Sequence, residues 1–195
     1  MKCGILHEGK YDPATIEKIV ASIVWQVKPG VYIDFSHLNA RGTIAGSLGE
    51  AVENFFVIPP CCDFAVFFHD FDNNQHKLTL LKRSVKRLEV KHGNIKKIAI
   101  ASPKPTLEEW FFREEVAIKN IFGINHQDRI PYPELKPKQR LMKLYAASDR
   151  DEVTSPNDIY EELAERLDPN SPHLMKDRYY RLFRNELTSI LRSTI

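Results

Sequence analysis

Hydrophobic positions along the chain fall into two alternating periods. Near the N-terminus, "CGILHEG" is a short continuous apolar run closed by glycine, which predicts a strand. From Pro13 onward Ile16, Ile19, Val20, Ile23, Val24 and Val27 recur at helical spacing until "KPG" stops them, and Asp12 before Pro13 reads as the N-cap of that helix. The alternation then repeats. "VYIDFS" predicts a second strand, and "TIAGSLGEAVENFF" a glycine-containing helix ended by "IPP". "DFAVFFHD" predicts a third strand, apolar on both faces as far as His69. Leu78, Leu81, Val85 and Leu88 mark a third helix closed by His92 and Gly93, and "IKKIAIAS" is a fourth strand.

Strands that alternate with helices and are apolar on both faces predict an α/β fold, with a central parallel sheet of about four strands and helices on both sides. Beyond residue 125 the pattern changes. "RIPYPELKPKQ" is a proline-punctuated loop, and "SPNDIYEELAERL" and "SPHLMKDRYYRLFRNELTSILRS" each open with Ser-Pro, an N-cap followed by a favourable first helical position. In the second of these helices Leu182, Phe183, Leu187, Ile190 and Leu191 are expected to face the core, while Arg178, Arg181 and Arg184 line another side. The expected organisation is an α/β domain over 1–125 and a helical C-terminal extension over 126–195 packed on it.

Composition narrows the class. With 195 residues, 43% of them hydrophobic, the chain can bury a full core. Its apolar runs are too short to cross a bilayer and no signal-peptide pattern opens it, so a cytoplasmic protein without a membrane partner is expected. Cys3, Cys61 and Cys62 offer neither zinc spacing nor a disulfide framework, and reduced, packed thiols are expected. The formal net charge is only +2, but residues 77–104 hold nine Lys and Arg against Glu89 alone, a local +8 set against −6 elsewhere. That asymmetry fits a nucleic-acid-facing surface, with Lys82, Arg83, Lys86 and Arg87 as its centre, and it fits a solvated helix face as well.

Candidate chemistry lies where parallel strands end, because ligands of such sheets gather at the carboxyl edge. Glu8 follows the first strand, Asp70 and Asp72 the third, and "SPKPTLEEW" the fourth. Asp70 and Asp72 are two apart, so in extended backbone both side chains leave one face, where two ionised carboxylates repel unless a cation neutralises them. A hard divalent ion would do so; a capped strand-to-helix turn is the alternative. Thr106 and Glu109 fit a capping box, which leaves Glu108 without a structural duty, and Trp110 reads as a core anchor. His69 is expected to leave the face opposite Asp70 and is left outside the site.

Glu8, Gly9 and Asp12, then Asp70 and Asp72, then Pro105, Leu107, Glu108 and Trp110, in this order and on these elements, resemble the three motifs of the Toprim (topoisomerase-primase) domain. They are most similar to small stand-alone Toprim proteins related to the OLD-family nucleases and RloB-like defence proteins. Two positions differ from that pattern: Lys104 stands within "ASPKP", and His7 precedes the glutamate. The resemblance spans about residues 2–122. It implies a metal-dependent nuclease acting on DNA or RNA with magnesium or manganese, held by Glu8 and Asp70 centrally and by Asp12, Asp72 and Glu108 around them. Lys104 is then the best-placed cation to stabilise phosphorane charge, and Arg41 either takes a neighbouring phosphate or is an ordinary loop cation. Two other readings stay open: a Toprim-like binding or regulatory subunit that cuts nothing, and a phosphatase of the haloacid-dehalogenase type, whose Asp-x-Asp belongs on the first strand. A partner protein or a homo-oligomer is compatible with each.

Overall fold

The computed structural model describes residues 1–8, 13–40, 43–69, 75–93, 97–148 and 156–194. Strand β1 (Lys2–His7) leads into helix α1 (Pro13–Val27), β2 (Asp34–Asn39), α2 (Ile44–Val52) and β3 (Phe64–Phe68). Helix α3 (Gln75–Lys91) and β4 (Ile98–Ala101) complete the sheet. Six further helices follow: α4 (Leu107–Arg113), α5 (Glu115–Ile121), α6 (Pro137–Ala146), α7 (Pro156–Glu165), α8 (Pro172–Lys176) and α9 (Arg178–Ser193).

All four strands are parallel, in the order β2-β1-β3-β4. The chain therefore moves outward from β1 to β2 and then returns to the other side of β1. This reversal creates a switch point between β1 and β3, the place where a doubly wound sheet leaves a crevice. β1 and β3 are fully flanked, which explains why all five residues of β3 are buried and why "FAVFF" shows no polar alternation.

Alternate side chains of the strands serve two cores. Cys3, Ile5, Phe64, Val66, Phe68, Ala99 and Ala101 face α1 and the C-terminal helices. Leu6, Ala65, Phe67, Ile98 and Ile100 face α2 and α3. Gly4 belongs to the second face, where the Phe55 ring lies directly over it; a Cβ at this position would stand 2.5 Å from the ring carbons.

The helical C-terminal part shares the first core. Trp110 is fully buried, stacked on Phe183 with ring centroids 6.0 Å apart and edge-on to Tyr180 at 5.1 Å and Phe68 at 6.2 Å. Its expected role as an anchor is what the structure contains. On α9, Tyr180, Phe183, Leu187, Ile190 and Leu191 form the buried stripe. Leu182, expected in that stripe, is instead 45% exposed, because it lies off the 180-183-187 track. Glu186 of α9 accepts the backbone N–H of Ile100 at 3.1 Å, so the helix covers the exposed edge of β4.

Several boundaries differ from expectation. The strand-favouring run Val31 to Ile33 precedes β2 rather than starting it, since pairing begins at Lys2 opposite Asp34 and Tyr32 is left 84% exposed. The expected second helix ends at Val52 and continues as a π-helical turn over Glu53–Val57. The helix expected after Ser171 is two helices, broken where Asp177 leaves helical geometry and accepts the N–H groups of Tyr179 and Tyr180. α6 begins at Pro137, inside the stretch expected to be a proline-punctuated loop, with that proline in its first turn, where a missing N–H costs nothing. Cys3 and Cys62 are buried and free, but Cys61 is exposed, so packing accounts for only two of the three thiols. Among the described residues no helix is long and apolar enough to cross a membrane.

The close approach at Gly4 is testable. Gly4→Ala forces the Phe55 ring or the π-helical turn to move and is expected to cost about 1–3 kcal/mol, the usual range for an overpacked core. Urea denaturation measures the loss, and Phe55→Leu in the same chain should recover part of it.

Candidate functional site

The carboxyl edge of the sheet is set by register. His7 pairs with Phe68 and Phe68 with Ala101, so Glu8, His69 and Ser102 follow from neighbouring strand ends. Glu8 stands at the switch point. One of its oxygens accepts the backbone N–H of Ile44 at 3.1 Å, in the first turn of α2, and the other lies 3.4 Å from Nδ1 of His69. Thr43 caps the same helix by accepting the N–H of Gly46. Glu8 thus sets its carboxylate against the positive end of α2.

The expectation that His69 turns away from the site is corrected by the structure: its ring is 5% exposed and lies against Glu8. Strand alternation accounts for the correction. Leu6 and Phe67 share the face toward α2 and α3, and two residues further along each strand Glu8 and His69 keep that side. The clue is present in the sequence as parity, but using it requires knowing that β1 and β3 are paired neighbours. His7, immediately before Glu8, is also buried; burial, with His37 adding to it, holds its imidazole below its ordinary pKa.

Glu108 lies in the first turn of α4 and is fully buried. Its Oε1 accepts the hydroxyl of Tyr160 on α7, and its Oε2 has no hydrogen-bond partner among the described residues. A buried carboxylate oxygen without a donor is costly unless something else compensates it. The neighbouring Glu109 does not form the expected capping box. Thr106 makes no side-chain cap, its hydroxyl oxygen is buried without a partner among the described residues, and Glu109 instead pairs with Arg113 at 2.9 Å. The helical register of i and i+4 gives Glu109 a cation closer to hand than the backbone at Thr106. Burial raises the Glu109 pKa, Arg113 opposes that shift, and nearby Asp177 adds to it.

Lys104 is exposed in the β4–α4 connection, with its Nζ 5.6 Å from the centre of the Tyr179 ring. On α3, Lys82, Arg83, Lys86 and Arg87 are all exposed, while Leu78, Leu81 and Val85 are buried, so the basic face points to solvent. Asp12, Arg41, Asp70 and Asp72 lie outside the described residues. Among the described residues no group of three or more His, Cys, Asp or Glu is arranged to hold a metal ion.

No family model, curated protein or solved structure matches this chain.

The pairing of Tyr160 with Glu108 carries a stability prediction. Tyr160→Phe strands the buried carboxylate and is expected to cost about 1–3 kcal/mol in chemical denaturation. In a Glu108→Leu background the same substitution should cost little; an undiminished loss there would mean that Tyr160 acts through packing alone.

Proposed function

We propose that the protein is a divalent-metal-dependent nuclease of the Toprim type, hydrolysing phosphodiester bonds of DNA or RNA, within a defence system or a larger complex. One observation carries this reading. β1 and β3 are parallel neighbours paired through His7 and Phe68, so Glu8 and His69 stand at adjacent strand ends at the switch point, and Asp12, Asp70 and Asp72 follow them closely in sequence. Crowding of acids at such a crevice favours a cation.

The proposed donors Glu8, Asp12, Asp70, Asp72 and Glu108 are all carboxylates, a set that suits magnesium or manganese. The unsatisfied Oε2 of buried Glu108 is compatible with such a duty. The chemistry an ion of this kind supplies is activation of water and stabilisation of charge on the phosphodiester. The protein's own contribution is positioning. The N–H of Ile44 fixes the Glu8 carboxylate, with the His69 ring lying beside it, and the hydroxyl of Tyr160 fixes that of Glu108. Lys104 and Arg41 would counter phosphate charge, and the cations of α3 would add non-specific attraction to the backbone.

A second reading, a Toprim-like subunit that binds metal or nucleic acid without cutting, is favoured by the existing partners of Glu8 and Glu108. A carboxylate already engaged by Ile44, or by Tyr160, has fewer lone pairs for an ion.

Incubation with single-stranded and duplex DNA and with RNA in magnesium or manganese separates the two. Cleavage is expected that EDTA abolishes and that Asp70→Ala or Glu8→Gln lowers by more than about 100-fold, beyond the usual cost of an outer-shell change. Metal binding by calorimetry with no turnover on any substrate supports the second reading, and cleavage undiminished in Asp70→Ala defeats the first.

A further inference from the structure

We propose that the cleft between the β4–α4 connection, the start of α6 and the α8–α9 junction binds the sugar-phosphate backbone of a single nucleic-acid strand. The cleft has a volume of about 960 Å³. Its walls carry six cations, Lys104, Arg113, Lys136, Lys138, Lys176 and Arg178, against two acids, Glu109 and Asp177. Four separate segments of the chain supply the cations, so no single amphipathic helix explains their convergence.

Both acids are already engaged. Glu109 pairs with Arg113 at 2.9 Å, and one oxygen of Asp177 accepts the N–H groups of Tyr179 and Tyr180 at 2.9 and 2.8 Å. Lys136, Lys138, Lys176 and Arg178 have no acidic partner among the described residues. Four like charges around one concavity repel each other, and a polyanion relieves that repulsion.

The cleft also offers donors. The ten-residue helix α6 begins in its wall at Lys136 and Pro137 with no side-chain cap, which leaves the N–H groups of its first turn available to an anion. The half-buried Tyr179 adds an aromatic surface, and its hydroxyl donates to the Gln75 side chain at 3.1 Å, tying the cleft to the first residue of α3.

Size and shape select the strand. A volume of this order is at the upper end of small-ligand pockets, about 300–1,000 Å³. It admits a few nucleotides of single strand, whereas a duplex would meet only the rim. A positive groove with an aromatic platform is how proteins hold single strands without reading their sequence. Lys104 stands three residues beyond β4, so a strand in the cleft passes beside the carboxyl edge of the sheet. The use of such binding in cleavage rests on the nuclease reading; the binding itself does not.

The test is fluorescence anisotropy in EDTA with labelled 20-nucleotide oligothymidine and oligouridine and a 20-base-pair duplex, over a range of salt concentrations. Lys138→Glu with Arg178→Glu is expected to weaken single-strand binding at least tenfold and to flatten the slope of log K against log salt by about 0.7 for each phosphate no longer neutralised. Lys86→Glu with Arg87→Glu on α3 should weaken it less. Circular dichroism and the thermal midpoint confirm that the variants are folded. Unchanged binding by the folded cleft variant, or preference of the wild type for duplex, overturns the assignment. The failures are distinguishable: cleavage that persists without cleft-dependent binding removes the cleft and leaves the nuclease, while binding by a protein that cuts nothing removes the nuclease and leaves the cleft.

Discussion

The pairing of β1 with β3 is the constraint on which the rest of the molecule depends. These two strands fill the middle of the sheet, bury side chains on both faces and take part in both hydrophobic cores. Parallel pairing aligns their carboxyl ends, and the reversal of strand order at this pair opens the crevice in which Glu8 meets His69. A one-residue slip in this register would exchange the two faces of β3, placing Phe67 against α1 and Phe68 against α2. Close packing resists such a slip: Gly4 is the one position of β1 over which the Phe55 ring can lie.

The second dependence runs through Trp110. It joins Phe68 of the sheet to Tyr180 and Phe183 of α9, so the last helix of the chain belongs to the same core as the third strand. α9 also supplies Glu186 to the Ile100 N–H on the edge of β4. On the opposite side of the core α7 packs beside α1, where Lys18 bridges Glu161 and Glu165 at 2.8 and 2.7 Å. Such exposed ion pairs contribute little, ~0.2–1 kcal/mol each. Burial of the aromatic cluster therefore does more to hold the C-terminal helices than these surface charges.

Charge is organised in two ways around this framework. Two acids are held by donors: Glu8, at the crevice, by the start of α2, and Glu108, in the first turn of α4, by Tyr160. In the cleft, cations from separate segments face one another, while Glu109 pairs with Arg113 and Asp177 accepts backbone N–H groups.

Much of the fold is legible in local pattern. Apolar periodicity locates all four strands and the helices that connect them, because burial on two faces or along one stripe writes its period directly into the residues. Gly93 behaves as the pattern implies, with φ of +84° at the end of α3. Trp110 likewise declares itself as core by its size and company. Other features are settled by contacts between distant residues. The start of β2 at Asp34 follows from its register with Lys2. The Glu8–His69 approach and the basic cleft belong to the same class. The carboxylates Glu8 and Glu108 can be picked out by type and by position after a strand, but their partners His69, Ile44 and Tyr160 cannot. A local period records which face a residue occupies; only the pairing of strands and the docking of helices decides what stands opposite that face.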